Sequence, residues 1–336
     1  MTATAAPSAT TDLPVGINID GVLDHDGLPW PSAAERFARV KHAGVFDYIE
    51  KNFDPTEDIS AYLGLSEHLQ LPLRVMGGIH LAGRDEDRMA REIGIAGQQG
   101  AKVFNCQLFA RHADGHTLTD QEVADFFLRA MDHGQRSGAL PSFEVHVDMW
   151  NEDFRRVDAV GDLLARQGVP LRLTLDHSHL IFKIDQAEEL AISGIADDVA
   201  AGRLALHPAD PRAVYALWLA KGWVVHAHTR AVQTSGRPNP WMSRGDGRPG
   251  RGIQYPFVQP EPGTYHQPWH EAELTTWKQA VTQLLSWMRA QPERAPAQVS
   301  CEFIPFADYG GGARYSVFAQ NVACAQWLRG QWAQLA

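Results

Sequence analysis

Short apolar runs alternate with amphipathic segments along almost the whole chain. The runs at 15–22, 45–53, 73–79, 102–109, 142–148, 171–175, 223–228 and 297–303 have strand length and are rich in β-branched and aromatic residues. Between them, polar loops lead into stretches with apolar residues three and four apart. These predict helices over 32–42, 59–69, 85–99, 119–136, 153–167, 211–221 and 315–332. Ser32 with Glu35 and Thr119 with Glu122 form capping boxes, and Gly44 stops the first helix. After strand six the helical pattern is overlong and interrupted, 186–201, and 203–206 adds a short strand. Strand–helix alternation repeated eight times predicts an α/β protein, a parallel sheet closed into a (β/α)8 TIM barrel. A doubly wound open sheet normally has fewer strands and needs a Gly-rich phosphate turn after strand one. Here the nearest such pair, Gly77-Gly78, ends strand three instead.

Residues 229–271 break the pattern. They are rich in Pro, Gly, Arg and aromatics and carry no sustained period, and a loop of that length in a compact domain usually serves function. Trp241, Tyr255, Phe257, Tyr265 and Trp269 argue against plain disorder. The expectation is one barrel over 14–336, with 229–271 as an insertion after strand seven that caps the barrel mouth. An oligomerisation arm is the competing reading. Residues 1–13, small and polar, are expected to be a disordered tail.

Composition narrows the class. With 336 residues, 44% hydrophobic and 21% charged, the chain suits one large soluble barrel. A net charge of -10 argues against nucleic acid as a main partner, because phosphate neutralisation needs a basic surface. Cys106, Cys301 and Cys324 form no CxxC pair and no disulfide framework, so reduced thiols in a cytoplasm are expected. The first residues lack the apolar core of a signal peptide, and no stretch approaches the roughly 18 apolar residues of a membrane span.

The chemistry gathers at strand ends. In Ser142–Asp148, alternation puts Glu144, His146 and Asp148 on one face and Phe143, Val145 and Val147 on the other. Strand six ends Asp176-His177-Ser178-His179, strand seven His226-Ala227-His228-Thr229-Arg230, and strand eight at Glu302. In this fold the carboxyl ends of strands line the active site. Four consecutive strands therefore bring carboxylate, carboxylate, imidazole and carboxylate to one rim. Such groups are seldom buried unless paired or holding a metal, and a mixed oxygen and nitrogen set suits one divalent Mn, Mg, Co or Zn ion. Strand parity leaves His226 and His228 equal as the imidazole.

These motifs resemble those of the xylose-isomerase-like TIM-barrel superfamily. It includes sugar isomerases and 3-epimerases, inosose and dehydroshikimate dehydratases, and AP endonucleases of family 2, the endonuclease IV type. The resemblance runs from Val15 to Leu335 and is most specific in Glu144-x-His146, Asp176-x-x-His179, His226-x-His228 and Glu302. It implies that Glu144, Asp176, His228 and Glu302 hold the metal, with His226 in reserve, and that His179 meets the substrate. It also implies an acid near the pocket at Glu50, and association into dimers or tetramers. Pro249-Gly250-Arg251-Gly252 resembles a turn common before the last helix–strand unit. The chain departs from the pattern at Arg230-Ala231, where Lys-Asp is common, and at Thr234, where the epimerases carry Arg.

The implied activity is a metal-dependent isomerase or epimerase of a sugar, sugar acid or polyol ketone. Glu144 and Glu302 would exchange a proton beside a carbonyl through a metal-stabilised enediolate. If a hydroxyl is expelled instead, with His179 or His146 as its acid, the same site is a dehydratase, a carbon–oxygen lyase. Arg230 is expected to bind a substrate carboxylate or phosphate, and cap aromatics such as Trp241 to stack on a sugar face. Trp218 and Trp277, at helical spacing, are expected in the core. A third reading, a DNA-repair nuclease, needs about three metals, with His80 and His112 as its extra ligands.

Overall fold

A computed structural model describes residues 12–25, 27–54 and 56–335. Its centre is a closed parallel barrel of β1 (Val15–Asn18), β2 (Tyr48–Asn52), β3 (Leu73–His80), β4 (Val103–Leu108), β5 (Leu140–Glu144), β6 (Leu173–Asp176) and β7 (Val224–Thr229), closed by a last strand, Val299–Cys301. That strand hydrogen-bonds to β7 on one side and β1 on the other, so no sheet edge is left. Between β7 and the last strand lie β8 (Asn239–Ser243) and β9 (Pro249–Gly250), an antiparallel pair outside the barrel. The last strand is accordingly β10. This is the (β/α)8 arrangement expected from the alternation.

The helices follow the local signals. Helix Ala33–Ala43 begins at the Ser32–Glu35 capping box and ends at Gly44, left-handed at φ 64°. Helix Asp120–Ser137 begins at the Thr119–Glu122 box. Trp218 and Trp277 are buried, as their spacing predicted, and Trp277 packs against Phe257 and Trp327. Inside the barrel, β1 passes so close to the Tyr48 ring that a Cβ on Gly16 would lie 2.1 Å from it. The Tyr48 hydroxyl then reaches Ser300 Oγ at 3.0 Å, and Ser142 Oγ reaches Thr174 Oγ1 at 2.7 Å. These hydroxyls thus satisfy one another in pairs across the interior.

Two expectations need correction. Strand five stops at Glu144, because the Asn151 side chain takes over the next ladder positions. Its Nδ2 donates to Glu144 O at 2.7 Å and its Oδ1 accepts from His146 N at 3.3 Å. Asp148 then turns left-handed at φ 64° and pairs with Arg244 and Arg251, so it does not share the Glu144 face. The interrupted helical pattern expected over 186–201 is present as Ala187–Ile192 and Ala196–Ala200, broken by Gly194 at φ 69° and preceded by a short helix, Ser178–Ile181. The strand expected at 203–206 is only a single bridge, Ala205 to Ala213.

The long segment after β7 is packed onto the loop that follows β10. Asn239 Nδ2 faces three carbonyls there, Ala307, Tyr309 and Gly311, at 3.2, 3.2 and 2.8 Å. Ile253 N donates to Asp308 O at 2.8 Å. Arg251 ties the same segment to the β5 and β6 loops through Glu152 and Glu189. Most of the tail expected at 1–13 lies outside the described residues; Leu13 is buried. No helix among the described residues is long and apolar enough to cross a membrane.

Candidate metal centre

Glu144 and Asp176 are the last residues of β5 and β6, His228 lies near the end of β7, and Glu302 follows β10 directly. Ladder pairing sets Asp176 opposite His228, and His228 opposite Ser300. The four side chains meet: one ligand atom from each lies within 4.8 Å of all the others. Each residue is at most 3% exposed. His226, two residues earlier, is outside this group of four. Both histidines bond to Glu50, His226 through Nε2 at 3.1 Å and His228 through Nε2 at 2.9 Å.

Anchoring decides which atoms face inward. Glu144 Oε2 accepts from Asn105 Nδ2 at 2.7 Å and Gln107 Nε2 at 2.6 Å. Glu302 Oε1 accepts from Asn18 Nδ2 at 2.9 Å, and Asp176 Oδ1 from Ser178 N at 2.8 Å. Glu144 and Glu302 thus spend one oxygen on amides and direct the other inward, while the second oxygen of Asp176 is shared with Arg230 Nη2. His228, with Nε2 on Glu50, turns Nδ1 to within 3.1 Å of Glu144 Oε1 and 2.8 Å of Glu302 Oε2. A carboxylate on the far nitrogen is the usual way of orienting a metal-ligating imidazole. Glu302 Oε2 is buried and accepts no aligned hydrogen bond, its charge facing only His228 Nδ1 and, at 3.3 Å, Arg230 Nη1. Three carboxylate oxygens and one imidazole nitrogen converging in a buried position are a donor set that fits a single divalent cation.

The electrostatics agree. Burial disfavours the Glu144 carboxylate, but His228, His146 and Gln107 together outweigh it and hold the pKa down at about 2. Burial likewise opposes charge on His228, yet Glu302, Glu50 and Glu144 together push its pKa well above the usual imidazole value. At Asp176 burial prevails over the attraction of Arg230, and the pKa rises. Four carboxylates, Glu50 included, crowd around the charges of His228 and Arg230, so added positive charge is favoured here.

Other expected site residues fall in distinct places. Arg230 is 1% exposed and its donors are taken. Nε faces Ser178 Oγ at 3.2 Å, Nη1 faces Glu302 O at 3.3 Å, and Nη2 faces Asp176 Oδ2 and, at 2.8 Å, His179 Nε2. The Tyr309 ring covers the guanidinium at 4.1 Å. The structure therefore corrects the picture of an open anion-binding fork: this arginine braces the site. Glu50, expected beside the substrate, is fully buried beneath the two histidines. His146 donates from Nδ1 to Val147 O at 2.6 Å, accepts from the Tyr309 hydroxyl at 2.7 Å, and its ring lies 4.1 Å from that of His179, tilted by 41°. Burial, reinforced by His146 and Arg230, keeps His179 neutral, its pKa well below the ordinary value. Trp241 packs within the long segment, edge-on to His266 at 5.8 Å and under Arg314 at 5.1 Å.

Asn18, Asn105, Gln107 and Tyr309 were missed from the sequence. The amides of strand four carried a signal, since Asn105 and Gln107 sit two apart in an otherwise apolar run and so share a face. His80 is turned toward Glu92, 2.9 Å away, with Cys106 Sγ on its other nitrogen at 3.5 Å. His112 lies in a surface hairpin. Neither belongs to the group of four.

No family profile and no curated protein matches the sequence. Solved structures do match in fold. D-allulose 3-epimerase from Methylomonas sp., crystallised with D-allulose, superposes with TM-score 0.55 at 14% identity over 95% of this chain and 97% of that one. A xylose isomerase-like TIM barrel protein from Mycobacterium smegmatis, in complex with magnesium, gives 0.53 at 14% over 96% and 97%. A sugar phosphate isomerase/epimerase from Parabacteroides distasonis gives 0.53 at 10% over 100% and 99%. The expected resemblance is thus present in three dimensions: the chain has the fold of the xylose-isomerase-like TIM barrels.

Proposed function

We propose that the protein is a divalent-metal-dependent isomerase or epimerase of a sugar or related polyol ketone. The observation that carries this is the pair Glu144 and Glu302, each fixed through one oxygen by amides and aimed through the other at one cation position beside His228. A cation held by Glu144, Asp176, His228 and Glu302 would act as a Lewis acid on neighbouring carbonyl and hydroxyl oxygens, acidifying the proton on the carbon between them. One glutamate takes that proton and the other returns it. Asn105, Gln107 and Asn18 hold the two carboxylates in line for the exchange, and Arg230 stops Asp176 and Glu302 from drifting apart. Epimerases and isomerases among the matching structures support the substrate class.

A second reading is a dehydratase. The Tyr309–His146 hydrogen bond beside His179 supports it, as a proton source for a departing hydroxyl. The nuclease reading loses its support, because His80 and His112 lie outside the group of four and the net charge is -10.

The test is incubation with a panel of ketoses, sugar acids and keto-inositols in deuterated water, followed by NMR. Deuterium at a former C–H with the formula retained means isomerase or epimerase, and loss of water means dehydratase. Metal analysis is expected to give about one tightly held ion at this centre. Glu144→Gln and Glu302→Gln are each expected to lower kcat at least a hundredfold while circular dichroism stays native. Turnover that survives complete chelation would reject the proposal.

A further inference from the structure

We propose that His112, Asp114 and His116 form a second binding site for a borderline divalent cation, with Zn2+ as the best fit, separate from the barrel centre. The three residues lie in one hairpin after β4, closed by His112 N to His116 O and Gly115 N to His112 O, both 2.9 Å. Asp114 Oδ1 lies 3.1 Å from His112 Nδ1 and 2.6 Å from His116 Nδ1, so one oxygen and two nitrogens converge on one point.

Both imidazoles are oriented by what lies behind them. His116 Nε2 is 3.0 Å from Glu122 Oε1, and the Glu122 carboxylate is itself held by the capping box with Thr119. A carboxylate behind an imidazole fixes its tautomer, so a cation would take Nδ1 by displacing the proton that Nδ1 now shares with Asp114 Oδ1. The far edge of His112 is wedged against Gly83, where an added Cβ would lie 2.1 Å from Nε2, so its Nδ1 too points toward the convergence. The rings stack at 4.8 Å, 25° apart, holding both nitrogens on one side. Asp114 is kept anionic, its pKa lowered to about 2 first by the His116 N–H and then by the two imidazoles.

A tetrahedral Zn2+ with bonds of about 2.0–2.1 Å needs donors about 3.3 Å apart. The His112–Asp114 pair is already close to that, and the His116–Asp114 pair has to open by a fraction of an ångström. The exposed side of Asp114 leaves room for water as a fourth ligand. Two imidazoles and one carboxylate select a borderline ion, whereas the barrel centre, with three carboxylates, suits harder ones.

The test titrates metal-stripped protein with Zn2+ by calorimetry, in the wild type, in His112→Ala/His116→Ala and in Glu144→Gln/Asp176→Asn. The hairpin double variant is expected to lose one Zn2+ per chain with an unchanged melting profile. The barrel double variant is expected to keep that ion, so the hairpin site stands or falls independently of the proposed activity. Glu122→Gln is expected to weaken the same ion about ten- to a hundredfold. Unchanged Zn2+ stoichiometry and affinity in the hairpin double variant, confirmed with Asp114→Ala, would overturn the proposal.

Discussion

Single residues decide whether the two glutamates are bases or merely buried acids. Removing an amide that holds a carboxylate exposes the pair to reorientation, and a hydrogen bond to a charged group contributes about 1.5–3 kcal/mol. Asn105→Ala and Asn18→Ala are therefore expected to lower kcat by about ten- to a hundredfold with a smaller change in KM. Steady-state kinetics at saturating metal checks this. The convergence of Glu144, Asp176, His228 and Glu302 was legible in the sequence because each closes a strand with a polar group that an apolar interior would not tolerate alone. Their anchors were not. An Asn or Gln in a strand looks the same whether it faces water or a carboxylate, and only the closed barrel brings Asn18 across from Glu302, 284 residues away. Arg230 misled for a related reason: the chain shows its charge but not the partners that use up its donors.

At the scale of elements, the long segment after β7 is fastened to the barrel by charge. Arg251 and Lys183 share Glu152, at 2.6 and 2.7 Å. Burial tends to raise the Glu152 pKa, but Lys183 and Arg251 overcome it and hold it at about 2. The folded pKa lies below the unfolded value of 4.5, so this contribution is complete above about pH 4.5 and is lost as pH falls toward 2. It is on the order of 3 kcal/mol at neutral pH. Glu152→Gln is thus expected to lower stability at pH 7 and to flatten the acid limb of the stability profile, measured by urea unfolding between pH 2 and 7. The helices with capping boxes were readable from local signals that need no tertiary partner. Strand five was overextended because alternation continues to Asp148 in the sequence, while Asn151 ends the ladder at Glu144 through a contact that periodicity does not encode.

For the whole molecule, the proposed cation at the barrel centre would couple metal to stability. Four carboxylates around only His228 and Arg230 leave negative charge in excess, so an ion bound only by the folded state would stabilise it by mass action. At a hundred times its Kd the gain is about 2.7 kcal/mol. Differential scanning calorimetry is expected to show a higher Tm with Mn2+ or Mg2+, by several degrees, reversed by chelator. In Asp176→Asn/Glu302→Gln that shift should vanish.

The sealing of that centre, with no ligand residue more than 3% exposed, has a kinetic consequence. A chelator cannot reach an ion that solvent does not touch, so stripping waits for the chain to breathe. Loss of metal should follow a single rate that more chelator does not hasten. Asn239→Ala, which frees the loop carrying Tyr309 from its threefold carbonyl grip, should quicken that rate, and sugars would have to enter through the same opening.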